Sequence, residues 1–195
     1  MIPLRKYINK ESLILMGIPV KFCDKTLDDF ITYNQSLKTV KDFIRKYLNN
    51  IDSVRENNEG ICFMGSNGVG KTFLSCLILK EAYRHRYSGR RVTFSQYISA
   101  YTDTWGNSKT VEQTILDTYK GVDFLVLEEI GKEIDSKIAK PILEDLLRYR
   151  EENSLVTIIC TNLTPDTLRE VYGASVCSLI NGNTTIITIE SKDMR

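Results

Sequence analysis

The run Gly65-Ser66-Asn67-Gly68-Val69-Gly70-Lys71-Thr72 fits the pattern G-x-x-x-x-G-K-[ST], whose residue types suit the grip of a triphosphate. Its glycines let successive backbone N–H groups turn inward onto phosphate oxygens, and Lys71 brings a mobile positive charge to the β- and γ-phosphates. Thr72 then has its hydroxyl on Mg²⁺, and Phe73 closes the candidate nucleotide-binding set. A second signal is Glu128-Glu129, directly after the apolar run Phe124-Leu125-Val126-Leu127. Two acids emerging together at the carboxyl edge of a sheet suit a nucleotide hydrolase, with Glu128 in the Mg²⁺ shell and Glu129 as general base toward the attacking water. Aspartate is more usual at the first position; the extra methylene of Glu128 requires the strand or the rotamer to adjust. A third signal is Thr161-Asn162, after the run Val156 to Cys160. The Asn162 amide suits a contact to the γ-phosphate or the lytic water, and its plainer alternative is a turn cap before Thr164. Together these clusters imply ATP and Mg²⁺ as cofactors.

These residues need elements to hold them. Apolar Ile61 to Met64 reads as a strand entering the glycine-rich run, and Lys71 to about Arg86 as the helix leaving it, whose N-terminal dipole favours phosphate. Further strands are expected at Val92 to Phe94, Phe124 to Leu127, Val156 to Cys160 and Thr184 to Ile189. Helical stretches intervene at Ile98 to Trp105, Val111 to Tyr119 and Ile142 to Arg150, the last started or kinked by Pro141. A short helix opens at Thr164-Pro165 and closes at Gly173. Before all of these, Leu37, Val40, Ile44, Tyr47, Leu48 and Ile51 recur at helical spacing, and Asn57-Asn58-Glu59-Gly60 ends that helix. Alternating strands and helices, with strands read as continuous apolar runs, predict an α/β fold: a mostly parallel five-stranded sheet covered on both faces as a three-layer α/β/α sandwich. Residues 1–56 form an entry segment and helix, and 57–195 the core.

The 195 residues suit one domain, and 26 basic against 25 acidic side chains exclude a chain that coats polyanions by bulk charge. Any nucleic-acid contact must be local. The five cysteines, Cys23, Cys62, Cys76, Cys160 and Cys177, are scattered without metal spacing and mostly lie in apolar runs, as in a reduced, cytoplasmic protein. No run is long enough to span a bilayer, so no membrane association is expected.

Tyr97, Tyr101 and Trp105 share one helical face. Such a face can stack single-stranded bases, with Arg90, Arg91 and Lys109 on phosphates, or it can pack into the core. Arg84, His85, Arg86, Arg90 and Arg91 form the densest basic cluster, which also complements a helix C-terminus. His85 is the single histidine and makes no metal site.

With these residues in place, nearly the whole chain resembles the AAA+ P-loop ATPases of the DnaC/DnaI helicase-loader and IstB family, in a compact, AAA+-only form. Gly17-Ile18-Pro19 and Thr26-Leu27-Asp28-Asp29-Phe30 resemble the family's segment against the nucleotide base, which implies that Ile18 and Pro19 bind nucleotide. Lys120 to Asp123 with Leu125 to Gly131 resembles its Walker B region, Arg148-Tyr149 and then Ile158 to Asn162 its helix and sensor-1 strand, and Asp193-Met194-Arg195 its terminal D-x-R. The resemblance implies an ATPase that loads a replicative DNA helicase, binds single-stranded DNA and works as a homo- or hetero-oligomer. It leaves open an IstB-like ATPase recruiting a transposase, and a nucleotide-binding adaptor or inhibitor of a host loader with little turnover of its own. Two departures matter. The family's S-R-[LI] arginine has no counterpart in Val176-Cys177-Ser178-Leu179-Ile180, so Arg148, Arg150, Arg169 or a partner must supply that charge. Little or no C-terminal lid and no separate docking domain are expected either.

Overall fold

The computed structural model describes residues 9–103, 116–132 and 137–190. Strands Gly60–Met64 (β1), Gly89–Thr93 (β2), Phe124–Ile130 (β3), Val156–Thr161 (β4) and Thr184–Thr188 (β5) form one sheet in the order β2-β3-β4-β1-β5. Every pairing is parallel, as the alternation with helices requires. The central strands β1 and β4 are buried along their whole length, which is why they read as unbroken apolar runs. Helices lie on both faces, and two apolar clusters result. One gathers Ile61, Phe63, Val126 and Ile158 with Leu74 and Ile78. The other gathers Cys62, Leu125, Leu127 and Ile159 with Leu143 and Leu146.

On the N-terminal side, Lys10–Leu15 (α1) and Val20–Cys23 (α2) lead to Gln35–Asn49 (α3) and Ile51–Glu56 (α4). The Asn34 side chain caps α3 by accepting from the Leu37 N–H at 2.8 Å, and Leu37, Val40, Ile44 and Tyr47 are its buried stripe. The single expected helix through Ile51 is two helices, divided at Asn50, whose backbone leaves the helical region. Lys71–Arg84 (α5) follows the glycine-rich loop, and Phe94–Thr102 (α6) begins directly at the end of β2. Phe94, expected in the strand, is the first residue of that helix, because Thr93 and Gln96 form a capping box. The expected helix near Val111 lies largely outside the described residues; a short π-helical turn spans Leu116–Lys120.

Ala139–Glu152 (α7) carries Pro141 in its first turn, so the proline starts the helix and does not kink it. Pro165–Asn183 (α8) opens as expected on Thr164, and its first stretch closes as expected at Gly173. Gly173 takes φ 80° and ψ 176°, breaking the helix, and a second helical stretch resumes at once and runs to Asn183. Among the described residues, β5 is the last element and no lid bundle follows it.

Arg150 is 1% exposed. It donates to Thr157 Oγ1 (2.9 Å) and to the carbonyls of Lys120 (2.8 Å), Val122 (2.9 Å) and Val156 (2.6 Å), tying α7 to the starts of β3 and β4. Burial pushes its guanidinium down to about 9. It is therefore a structural cross-brace and not an outward-reaching arginine, which corrects its candidacy as a substitute finger. Arg150→Met should cost at least about 3 kcal/mol in urea unfolding, because several buried acceptors lose their donors at ~1–3 kcal/mol each.

Candidate nucleotide site

The loop between β1 and α5 has the backbone that its glycines permit. Gly65, Gly68 and Gly70 take φ of 144°, 78° and 99°, and a Cβ on Gly65 would lie 2.4 Å from the Ile189 carbonyl oxygen. Gly70 is the N-cap of α5, so the first turn of that helix presents its N–H groups to the loop. Val69 is fully buried, with its side chain in the first apolar cluster. The Lys71 ammonium donates to the carbonyls of Gly65 (2.6 Å) and Ser66 (2.8 Å) and to Asn162 Oδ1 (2.7 Å). Burial lowers its pKa from the usual lysine value, opposed by the nearby Cys160 and Glu128. Asn162 Nδ2 in turn donates to Asn67 Oδ1 at 2.9 Å, so the end of β4 is tied directly to the glycine-rich loop.

Both acids line the cavity at the end of β3, but in unlike surroundings. Strand β3 runs on to Ile130, and its register against β4 shifts between Glu128 and Ile130. The extra residue is Glu129, at φ 64°, a bulge at the end of the strand. Glu128 is 2% exposed; Oε2 accepts from Thr72 Oγ1 at 2.8 Å and Oε1 from Ser75 Oγ at 2.8 Å. Glu129 stands in the open, with Lys132 Nζ donating to it at 2.7 Å. The longer side chain of glutamate is thus accommodated by reaching back to α5, and Ser75, one helical turn after Thr72, is the unforeseen partner. Its i+3 spacing from Thr72 was the available signal.

A cavity of about 480 Å³ joins these groups to the N-terminal segment. Lys71, Thr72, Glu128, Glu129, Lys132 and Asn162 line one end, and Pro19, Phe22, Phe30 and Phe73 the other. Phe73 stacks on Phe30 with centroids 6.0 Å apart and meets the edge of Phe22 at 5.7 Å, giving an apolar wall of the kind a flat base requires. Ile18 is 1% exposed in the core, so of that pair Pro19 is the one facing the cavity. The Lys80 ammonium holds this segment in place from α5, donating to the carbonyls of Cys23 at 2.7 Å and Lys25 at 2.5 Å. The residues fit a Mg²⁺ triphosphate: donors at one end match phosphate, and the hard oxygens of Thr72 and Glu128 lie 2.8 Å apart.

Of the two readings of the aromatic stripe, Tyr97 takes the core one. Tyr97 is fully buried against Phe94, Tyr101 and Tyr119, so the helical spacing marks core, and Tyr97 cannot stack on DNA. Trp105 and Lys109 lie outside the described residues. Four of the five residues of the basic cluster are engaged locally. Arg84 pairs with Glu81 at 3.0 Å, His85 with Asp52 at 3.0 Å, Arg90 donates to the Leu15 carbonyl, and Arg91 pairs with Glu128 at 3.3 Å. Arg91 therefore belongs to the cavity and not to a DNA-facing patch. All five cysteines are free, and no helix among the described residues is long and apolar enough to cross a membrane.

Comparison with known proteins agrees with this geometry. The family model for IstB-like ATP binding proteins matches residues 13–179. The replicative helicase loader DnaC of Escherichia coli K12 is 30% identical over 132 residues, covering 68% of this chain and 53% of the loader. This chain thus spans about half the length of that curated relative. A crystal structure of the DnaC helicase loader superposes with a TM-score of 0.78 at 26% identity, covering 87% of this chain and 99% of that one. AMPPCP-bound DnaA from Aquifex aeolicus superposes at 0.69 with 20% identity over 89% of this chain and 51% of that one, a likeness of fold. The fold is that of the AAA+ P-loop ATPases, and the chain belongs to the family of IstB-like ATP binding proteins.

Proposed function

We propose that this chain binds ATP with Mg²⁺ in the cavity above α5 and uses its nucleotide state to load a replicative helicase onto single-stranded DNA during replication. The observation that carries the nucleotide part is the convergence of Lys71, Thr72, Glu128 and Asn162 within hydrogen-bond distance at one sheet edge. The loader part is supported by the likeness to DnaC, a replicative helicase loader. In this reading the loop N–H groups and Lys71 hold the phosphates. Thr72 and Glu128 would hold the metal, whose contribution when bound is to neutralise charge on the phosphate oxygens. Glu129 takes the proton of the attacking water after leaving Lys132, and Asn162 reports the γ-phosphate to β4. Oligomerisation, with itself or with a partner, would complete the site. Retention of a hexameric replicative helicase on the tagged chain, with turnover stimulated by single-stranded DNA, tests the loader role. No retention of helicase in any nucleotide state would refute it.

Asn162→Ala should lower turnover about ten-fold while ATP affinity stays within about three-fold, because one hydrogen bond to a charged group is worth ~1.5–3 kcal/mol. Steady-state kinetics beside a binding titration separates the two effects.

A second reading, an adaptor with little turnover of its own, is favoured by the missing arginine in Val176 to Ile180 and by the burial of Arg150. It expects negligible hydrolysis by the chain alone and recovery when a loader with its own arginine is added.

A further inference from the structure

Arg91 occupies a position that the nucleotide reading leaves unused. It sits on the edge strand β2, and its side chain is 18% exposed. Nε lies 3.3 Å from Glu128 Oε1, and Nη1 donates to the Gly17 carbonyl at 3.1 Å. The backbone adds a second tie, since the Arg91 N–H donates to the Met16 carbonyl at 2.8 Å. Gly17 is seated so closely on β2 that a Cβ would lie 2.3 Å from the Arg91 carbonyl oxygen, and its φ is 89°. Two residues further on, Pro19 lines the cavity and opens α2, which carries Phe22 onto Phe73. The other Glu128 oxygen accepts from Thr72. A continuous set of contacts thus runs from the apolar wall through Gly17 and Arg91 to the Glu128–Thr72 pair.

We propose that Arg91 is a positioning residue that couples the Glu128 carboxylate to the N-terminal wall of the cavity, so that metal at one end and base at the other favour each other's binding. A guanidinium suits this because it is planar and rigid, so Nε and Nη1 move together. When Glu128 is drawn toward a metal shell, the same plane carries the Gly17 carbonyl, and with it the wall. Charge compensation alone would need only a cation beside Glu128; it would not need the second contact to Gly17. Coupling of this kind is reciprocal between the two ligands. The proposal rests on the nucleotide reading and adds a regulatory link within that site.

Inorganic tripolyphosphate, which has no base, tests the link in the intact chain. Hydrogen exchange is followed at residues 16–22, with tripolyphosphate plus Mg²⁺ and with tripolyphosphate plus a chelator. Slower exchange there only when Mg²⁺ is present is the expected result, although tripolyphosphate carries no base to press on the wall. A titration of the Arg91→Lys variant, which keeps the charge and loses the fork, gives the second reading. In the unaltered chain Mg²⁺ should strengthen ATP binding at least about five-fold more than it strengthens tripolyphosphate binding, and Arg91→Lys should erase that difference. Tripolyphosphate that binds with no Mg²⁺-dependent protection at 16–22 overturns the coupling and leaves the nucleotide site standing. Failure of both ATP and tripolyphosphate to bind overturns both.

Discussion

Lys71→Ala is expected to weaken ATP binding by about 100-fold or more. The ammonium makes three hydrogen bonds, to Gly65, Ser66 and Asn162, at the junction of the glycine-rich loop and β4. Oxygens of the β- and γ-phosphates entering there exchange with two of these acceptors, and each charge-assisted hydrogen bond lost is worth ~1.5–3 kcal/mol. Two such contacts correspond to ~3 kcal/mol or more, which sets the hundred-fold figure. The variant should still fold, because Gly65 against Ile189 and buried Val69 continue to hold the loop. A fluorescence titration with a labelled ATP analogue, beside a thermal melt, separates lost affinity from lost fold.

Glu129→Gln has the second large effect, on turnover and not on binding. Its side chain is about half exposed at the bulge, pairs with Lys132 and contributes little to the fold. Removing a general base lowers turnover by ~10²–10⁴-fold. ATP affinity should stay within about two-fold, and single-turnover measurement after pre-binding isolates the chemical step. An unchanged rate would mean that hydrolysis, where present, does not use Glu129, as the adaptor reading expects.

The parts of this molecule that follow from local sequence were legible in it. The strand–loop–helix around Gly65 to Thr72 is dictated by glycine freedom and apolar periodicity within a few residues. The parallel sheet follows from alternation. What was not legible depends on contacts distant in sequence. The β-bulge at Glu129 arises from the register of β3 on β4, and the burial of Glu128 beside Thr72 and Ser75 depends on where α5 packs. Ser75 and Arg91 became partners of Glu128 only when α5 and β2 were placed beside β3. Arg91 was read with its basic neighbours because charge runs along a chain say nothing about which face of an edge strand each residue takes. Arg150 shows the converse: its charge suggested an outward role and burial beside β3 and β4 decided otherwise, while Tyr97 took the core reading that its helical spacing had left open.

The central claim is that the cavity holds ATP with Mg²⁺. Isothermal calorimetry of the full chain against ATP in Mg²⁺ buffer tests it directly. The expected result is saturable heat with one nucleotide per chain, lost in the Lys71→Ala variant. A folded chain that gives no heat up to about 1 mM nucleotide, weaker than ~4 kcal/mol of binding, contradicts it.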